Sequence, residues 1–430
     1  MVSKDKTTIT FHSGILTIGG TVIEVAYKDS HIFFDFGTEF LPKLELTDES
    51  VQTLVNHRVI PHLKNVYDAR IPYKYEGDED KDYANTAVFI SHAHLDHTRM
   101  LNYLDPSIPL YTLKETKMIV NSLNRNGVFL LPSPFEDESF TRDMIGLDAG
   151  DVIKVGEIEV EIVRVDHDAY GAAALIIKTP GHHITYTGDL RLHGHNAEDT
   201  IEFCKKAKHT DILMMEGVSI SFGDRPVEVE AFKPETEEDV IRHIAHLEQE
   251  NPNRQITFNG YPANVRRFEK IVEGTSRTVV LEATMAALLK EVFQKEAHYY
   301  YREGAPRLEE LDPALEIPYE TLLEDTSEYL WQVVDHFERL QEGSLYIHSD
   351  AQPLGDFDPN YQPFLDLLAE KNIEFVRLAC SGHAKPEDLD RIIAMIEPKC
   401  LIPIHTLKPE LLENPYGKRI LPYRGEKIVL

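Results

Sequence analysis

The sequence predicts an α/β protein in which a β-rich first half is followed by alternating strands and helices. In the first half, short apolar or alternating runs are separated by Gly, Asp and Asn turns. These runs lie at 21–26, 31–35, 86–91, 158–165, 172–178 and 184–187. From about residue 205 helical and strand patterns alternate, which implies a parallel sheet covered by helices.

The second half opens with Thr236-Glu-Glu-Asp239, a capping-box sequence followed by apolar residues at helical spacing. Strands are then predicted at 255–258, 278–281, 344–348, 374–379 and 400–405, and helices at 263–273, 284–294, 327–341 and 386–396. The segment 296–325, which contains several prolines, is predicted to be irregular. After residue 374 we expect the chain to return to its first domain.

The composition is that of an ordinary globular protein. Its 430 residues allow two or three domains, 42% are hydrophobic and 27% are charged, and no segment has the apolar run of a membrane span. The start, MVSKDKTTITFHSGIL, lacks the apolar centre of a secretory signal, so we expect a cytoplasmic protein without membrane association. A net charge of -29 disfavours binding of nucleic acid through the general surface, and such a partner would require a local positive groove.

Cysteine usage limits the kind of metal site that the chain can form. Cys204, Cys380 and Cys400 are odd in number and far apart, which is typical of reduced thiols and excludes a cage of thiolate ligands. Any metal ion must therefore be held by histidines and carboxylates.

A dense group of such residues follows the apolar run at 87–90. In HAHLDH, His92 and His94 alternate along an extended strand and so share a face, and they can bind one ion together. Asp96 and His97 follow where the chain turns, and they can reach a second ion nearby. Imidazole and carboxylate ligands suit zinc, with manganese as the alternative.

Further ligands are expected at other strand ends, because two catalytic ions each need three or more protein donors. His167 follows the alternating strand IEVEIVRV, and Asp189 lies in ITYTGDL, where an apolar strand meets glycine. The carboxylate of Asp189 is suited to bridge two ions. Four neighbouring histidines are expected at the surface, namely His182, His183, His193 and His195.

The HAHLDH run, His167, the TGD at 187–189 and the stretch LTIGG…HIFFDFG with Asp35 together resemble the metallo-β-lactamase superfamily. The resemblance implies an αββα sandwich and a site for two divalent metal ions. It does not define the substrate, because lactonases, thiolester hydrolases, nucleases and redox di-iron proteins share the motifs. A redox di-iron protein is disfavoured, since that branch typically has a glutamate where this chain has His94.

The region after Asp189 indicates the branch that the chain resembles. In small-molecule hydrolases the last histidine follows the bridging aspartate by a few dozen residues, but here the candidate, His405, lies 216 residues downstream. The α/β region between them resembles the domain that β-CASP nucleases insert into their first domain. DILMMEG with Glu216, SGHAKPEDL with His383 and PKCLIPIH with His405 resemble the three β-CASP motifs. The last two are most similar to bacterial and archaeal ribonuclease J, and the resemblance covers nearly the whole chain.

This resemblance divides the chain into three segments. Residues 1–205 are predicted to form the first part of the metallo-β-lactamase domain. Residues 206–375 are predicted to form the inserted β-CASP domain, a parallel sheet flanked by helices. Residues 376–430 are the return segment with the last metal ligand.

Three features depart from the family pattern. Thr406 and Leu407 follow His405, where Gly-Glu is usual. Asp168 follows His167, where a serine is common. The sequence ends 25 residues after His405, so the carboxy-terminal domain of ribonuclease J is expected to be missing.

The resemblance also implies roles for individual residues. One ion would be held by His92, His94 and His167, the other by Asp96, His97 and His405, with Asp189 bridging. A hydroxide between the ions is the expected nucleophile. The catalytic set is His383, Asp96 and Asp189, in which His383 neutralises charge on the scissile phosphate or protonates the leaving oxygen. Asp35 and Glu216 are expected to support the ligands, and Ser381, Gly382, Arg266 and Arg267 to bind the substrate.

The predicted activity is ribonuclease J-like hydrolysis of RNA, as a 5'-to-3' exonuclease, an endonuclease or both. Single-stranded RNA is expected to bind in a cleft between the two domains, and a homodimer is left open. The alternatives are a hydrolase of small esters or lactones and a DNA-directed nuclease, because only a contact to the 2'-hydroxyl separates RNA from DNA. A non-catalytic assembly subunit is disfavoured, since every expected ligand is present.

Overall fold

The computed structural model describes residues 5–39, 41, 44–74, 85–222, 233–356 and 358–430. The chain divides into two compact units. Unit 1 comprises Met1–Leu192, Asn196–Val227 and Gly382–Leu430, and unit 2 comprises His193–His195 and Glu228–Ser381. Within the described residues, no helix has the length and apolar character needed to cross a membrane.

The secondary structure of the described residues alternates as follows. The strands are β1 (Thr7–Ser13), β2 (Val22–Tyr27), β3 (Ser30–Phe34), β4 (Asn85–Phe89), β5 (Leu110–Leu113), β6 (Ile145–Leu147), β7 (Val152–Val155), β8 (Ile158–Arg164), β9 (Ala173–Thr179), β10 (His182–Tyr186), β11 (Ile212–Glu216), β12 (Ile256–Gly260), β13 (Thr278–Glu282), β14 (His298–Tyr300), β15 (Tyr329–Gln332), β16 (Leu345–Ser349), β17 (Glu374–Arg377), β18 (Cys400–Ile404), β19 (Lys418–Arg419) and β20 (Lys427–Val429). The α-helices are α1 (Val51–Asn56), α2 (Leu95–Thr98), α3 (Lys114–Leu123), α4 (Ala197–Lys206), α5 (Glu237–Glu250), α6 (Val265–Gly274), α7 (Ala283–Phe293), α8 (Tyr319–Glu324), α9 (Tyr361–Glu370) and α10 (Pro386–Ile396).

Unit 1 is a sandwich of two seven-stranded sheets. The first has the order β20-β1-β2-β3-β4-β5-β6 and the second the order β19-β18-β11-β10-β9-β8-β7. Inward-facing apolar side chains such as Phe11, Val160 and Leu175 form one core between the sheets. The other face of the second sheet packs against α4 through Phe203 and α10 through Leu389, while α3 contacts β5 and β6 of the first sheet. This confirms the predicted αββα sandwich.

Strand direction brings several loops of unit 1 to one edge of the sandwich. β10, β11 and β18 are parallel neighbours, and β8 runs the same way because both β8 and β10 are antiparallel to β9. In the first sheet β3 and β4 are also parallel. The residues that directly follow these strands include Asp35, His92, His167, Asp189 and His405.

Unit 2 contains a six-stranded sheet of order β14-β13-β15-β12-β16-β17, in which every pairing is parallel. Helices α6, α7 and α9 contact its strands, and α5 packs on α6. The predicted capping box begins α5, since the side chain of Thr236 accepts from Asp239 N and the side chain of Asp239 accepts from Thr236 N. The prediction of a parallel sheet flanked by helices is confirmed.

The predicted helix at 327–341 is wrong. Residues Tyr329–Gln332 form β15, which lies between β13 and β12, and Trp331 is completely buried. The run YLWQVV is rich in aromatic and β-branched residues, which favour a strand buried on both faces. The segment 296–325 is also less irregular than predicted, because it contains β14 and α8.

The boundary between the two units differs from the predicted one. Strand β11 pairs with β10 and β18, so Ile212–Glu216 belongs to the second sheet of unit 1. The predicted boundary at residue 205 separates this strand from its partners. Unit 2 extends through Ser381 rather than residue 375.

Candidate metal centre

The structure brings the seven predicted metal ligands together in two adjacent groups. The ligand atoms of each group lie within 4.8 Å of one another. The groups are His92, His94, His167 and Asp189, and Asp96, His97 and His405. Asp189 Oδ2 lies 3.6 Å from Nε2 of His92 in the first group and 3.3 Å from Nε2 of His97 in the second. This buried carboxylate therefore faces both groups.

Close approach of two glycine-containing loops holds the HAHLDH turn in place. A Cβ at Gly37 would overlap the backbone carbonyl of Asp96, and Gly19, at φ +82°, would place one 2.5 Å from the Asp96 side chain. Phe36 N also donates to His97 O at 2.9 Å. Glycine is required at both positions because a side chain there would displace the turn that carries two predicted ligands.

Four of the five imidazoles are oriented by a polar atom at Nδ1. His92 Nδ1 lies 2.9 Å from Ser91 Oγ, His97 Nδ1 lies 2.8 Å from Asp35 Oδ2, His167 Nδ1 lies 2.6 Å from Gly382 O, and His405 Nδ1 lies 3.4 Å from Thr21 Oγ1. Because Gly382 O can only accept, Nδ1 of His167 carries the proton and its Nε2 presents a lone pair to the cluster. The same reasoning applies to His97, whose partner is a carboxylate.

His94 has the opposite orientation. Its Nδ1 lies 3.1 Å from His92 Nε2 and 3.3 Å from His167 Nε2, so this nitrogen faces the cluster. Its Nε2 faces outward and lies 3.2 Å from Asp168 Oδ1.

Asp35 supports the second group from behind, as predicted from its place after β3. It is completely buried and accepts from Ser91 N at 2.7 Å, from Ser91 Oγ at 2.8 Å and from the hydroxyl of Tyr186. These donors fix the carboxylate that orients His97. The sequence analysis missed Tyr186, because its alternation within β10 indicates only a core residue.

His383 lies beside the cluster and is oriented by Glu216. Its Nδ1 lies 3.1 Å from Glu216 Oε1 and 3.8 Å from Asp189 Oδ2, and its side chain is 22% exposed. Glu216 is completely buried and also accepts from Leu190 N and Val218 N. Burial lowers the pKa of His383, but the charge of Glu216 and its hydrogen bond outweigh burial and raise that pKa to about 10. The outer Nε2 of this imidazole is thus a candidate proton donor.

The donor set fits divalent cations. Both carboxylate oxygens of Asp189, Nε2 of His97 and Nε2 of His405 are buried without a well-aligned hydrogen bond among the described residues. Buried polar atoms are normally bonded, so converging unpartnered acceptors are typical of a metal site. Burial lowers the pKa of His97, yet three nearby carboxylates, led by that of Asp96, raise it well above its usual range. A field that favours a proton at this position also favours a metal cation.

A buried ion pair that the sequence analysis missed supports the loop of His167. Arg191 Nε lies 3.2 Å from Asp166 Oδ2, and Arg191 Nη2 lies 3.4 Å from His167 O. Both charged side chains are buried. The only sequence signal is that each is a charged residue next to a predicted ligand-bearing strand end.

The predicted substrate contact through Arg267 is contradicted. Arg267 is 1% exposed, and its Nε and Nη2 each lie 2.8 Å from the carboxylate of Glu237. Arg266 is partly buried, pairs with Glu269 and lies over the ring of Phe293 at 4.3 Å. On an amphipathic helix the basic residue at the buried face neutralises an acid inside unit 2, and it is not available to bind phosphate.

The other predicted substrate-binding residues occupy the junction of the two units. Ser381, the last residue of unit 2, is exposed, and its carbonyl accepts from His193 Nε2 at 2.8 Å. Gly382 begins the return segment of unit 1. The expectation that His193 lies at the surface is wrong, because its side chain is buried to make this bond.

Comparison with known proteins identifies the class of the first domain. Residues 76–251 match the family described as β-lactamase superfamily domain. The chain therefore carries a domain of this superfamily, in agreement with the sandwich and with the strand-end His and Asp residues.

Similarity to curated proteins extends over most of the chain. It is 22% identical over 427 residues to ribonuclease J of Helicobacter pylori (strain B128), covering 94% of this chain and 56% of that protein. It is 20% identical over 430 residues to ribonuclease J of Mycoplasma genitalium, covering 94% of this chain and 68% of that protein. The chain thus spans little more than half the length of the first of these relatives. These distant similarities agree with the resemblance to ribonuclease J.

A solved structure matches the whole chain. It is a crystal structure from Enterococcus faecalis V583 described as a protein of unknown function. The two chains are 72% identical with a TM-score of 0.97, and the match covers 99% of this chain and 100% of the other.

Proposed function

We propose that the protein is a dinuclear-metal phosphodiesterase that hydrolyses RNA. The superfamily domain and the distant similarity to ribonuclease J support a nuclease-like hydrolase. The observation that carries the more specific proposal is the shared position of Asp189, whose buried carboxylate faces two adjacent sets of nitrogen and oxygen donors. One of its flanks is occupied by His383, a further charged group suited to a phosphodiester.

The residues of the two groups would each hold one divalent cation, zinc or manganese. Two cations in these positions lower the pKa of water and offset the charge that develops on a phosphodiester. His92, His94 and His167 offer three neutral nitrogens to one cation, while Asp96, His97 and His405 offer two nitrogens and a carboxylate to the other. Asp189 adds a negative charge between them. The four outer bonds at Nδ1 hold most of these donors in place before any ligand binds.

His383 is the proposed catalytic partner on the substrate side. With Nδ1 directed at Glu216, its Nε2–H can donate to a phosphate oxygen or to the leaving oxygen. The raised pKa keeps the imidazole protonated near neutral pH, so it can supply a positive charge to the substrate. In a chain with a net charge of -29, this charge and the two cations offset repulsion of the RNA backbone.

The test is degradation of end-labelled RNA carrying a 5' monophosphate, a 5' triphosphate or no phosphate. Protein reconstituted with Zn²⁺ or Mn²⁺ is compared with the Asp189→Ala variant and with an equivalent DNA. We expect metal-dependent RNA cleavage, and a loss on the order of 10³-fold in the variant. The 5' series and the product lengths distinguish exonucleolytic from endonucleolytic action.

A parallel assay separates the alternatives. Faster turnover of a chromogenic ester or lactone than of any RNA would replace the proposal with a small-molecule hydrolase, and preferential cleavage of DNA would replace RNA as substrate. Inertness of all substrates with fully metallated protein would contradict the proposal. The location of RNA in a cleft, a homodimer and a cytoplasmic location stay predictions.

A further inference from the structure

Asp168 is a charged residue of the cluster that has no role in the proposed mechanism. Its side chain is 17% exposed, and Oδ1 is inaccessible to solvent. Oδ1 lies 3.2 Å from His94 Nε2 and 3.1 Å from His167 Nε2. Both distances are within the range of a hydrogen bond, although neither approach is well aligned with a ring N–H.

The two imidazoles make different demands on this oxygen. His167 donates from Nδ1 to Gly382 O, so its Nε2 has no proton to give to Asp168. His94 directs Nδ1 into the cluster, so the proton of the neutral ring belongs on Nε2, which faces Asp168. Asp168 is therefore placed to accept from His94.

The return segment leaves space for this carboxylate. A Cβ at Gly382 would lie 2.5 Å from Asp168 Cγ and 2.5 Å from Asp168 Oδ2. The same glycine accepts the bond from His167 Nδ1. The backbone of Gly382 thus lies against both consecutive residues, and a larger residue there would displace Asp168 from His94.

We propose that Asp168 is a positioning residue that accepts the Nε2–H of His94 and thereby fixes Nδ1 as the atom offered to the cation of the first group. The inference rests on the proposed dinuclear site. It assigns His94 the outer partner that Ser91, Asp35, Gly382 and Thr21 provide to the other four imidazoles. An imidazole that can rotate or change tautomer offers a less ordered ligand, so loss of an outer partner weakens metal binding about 10–100-fold.

The experiment measures Co²⁺ and Zn²⁺ binding to metal-depleted protein with a competing chromophoric chelator, without RNA. We expect Asp168→Ala to bind one cation with wild-type affinity and the other about 10–100-fold more weakly. Asp168→Asn keeps an acceptor oxygen, and we expect it to stay within about tenfold of the wild type. Asp143→Asn, which changes an exposed carboxylate paired with Lys117, serves as the matched control and should bind like the wild type.

A second variant tests the packing of Gly382. We expect Gly382→Ala to weaken the same cation, and to add little in the Asp168→Ala background because both changes remove one contact. The Co²⁺ absorption spectrum should change for one of the two bound ions. Urea unfolding of the metal-free protein should be the same for Asp168→Ala and the wild type, whereas a merely structural role would lower its stability.

Two results would overturn the proposal. One is binding of both cations by Asp168→Ala with wild-type affinity. The other is equal weakening in Asp168→Asn and Asp168→Ala, which would mean that the carboxylate acts by its charge or as a direct ligand. A protein that binds two cations as expected but cleaves no RNA would contradict the proposed function and leave this inference intact.

Discussion

Both units bury charged side chains, but they stabilise them differently. In unit 2 the guanidinium of Arg267 makes two 2.8 Å bonds to Glu237 and a third bond, of 3.2 Å, to Asp350. In unit 1 Asp189 is as deeply buried, yet neither of its oxygens has a well-aligned donor among the described residues. The comparison teaches that buried charge alone does not identify a functional site. Buried charge that the fold leaves unsatisfied does.

The largest expected effect concerns the satisfied pair. Arg267→Met should lower the free energy of unfolding of unit 2 by about 3–5 kcal/mol, because it leaves Glu237 buried without its partner. Trp331, the one tryptophan of the sequence, lies in unit 2, so its fluorescence during urea unfolding reports this change. Cation binding by unit 1 should not change.

A neighbouring arginine provides the control for this prediction. Arg266→Met removes a partly exposed ion pair on the same helix and should cost less than about 1 kcal/mol. Equal costs for the two variants would contradict the view that the Arg267 pair is a buried structural element.

A pH dependence extends the comparison to the buried imidazoles. Burial, and then the charge of Arg377, lower the pKa of His348 in unit 2 from 6.5 to about 4. Between these values the unfolded chain binds the proton and the folded chain does not. The stability contribution of the neutral ring is thus complete above pH 6.5 and decreases as the pH falls to 4, by on the order of 3 kcal/mol.

Trp331 fluorescence measures this dependence in urea unfolding at a series of pH values. We expect His348→Gln to have a shallower loss of stability than the wild type between pH 6.5 and 4. Parallel curves for the two proteins would show that His348 does not titrate as expected.

The next effect concerns the imidazole at the edge of the unsatisfied cluster. His383→Gln should lower kcat for RNA cleavage about 10²-fold, because it removes a proton donor and a positive charge. Cation stoichiometry should stay at that of the wild type. If the variant lost a cation, His383 would be a ligand and not the proposed catalytic group.

The smallest expected effect belongs to Glu216→Gln. The amide can still accept from Leu190 N and Val218 N, but it lacks the charge that holds His383 protonated. We expect a decrease in kcat of about tenfold, or about 1.4 kcal/mol. Because Glu216 acts through His383, the double variant should be no slower than His383→Gln, and additive losses would indicate separate roles.

Much of the candidate site could be predicted because its ligands follow strands. Alternation along an apolar run identifies a strand, and His92, His167 and Asp189 each come directly after one. His405 was expected only through the resemblance to β-CASP motifs, since 216 residues separate it from Asp189. The pairing of β18 with β11 brings it to the cluster.

Other features could not be predicted from local pattern. The segment around Trp331 has a run of apolar residues that suits a buried helix or a buried strand, and only its pairing with two neighbours makes it a strand. Arg267 has the sequence context of a solvated helix face. Its burial depends on Glu237, 30 residues earlier in the chain.

The sequence by itself determined which residue types stand at the strand ends and that oxygen and nitrogen donors, not thiolates, would meet a metal. Tertiary structure decided which nitrogen of each imidazole faces the cluster, which arginine is neutralised inside unit 2 and which carboxylate lies against His94. The physical reason is that periodicity reports the face on which a side chain lies. Hydrogen-bond partners and burial depend on elements that are distant in the chain.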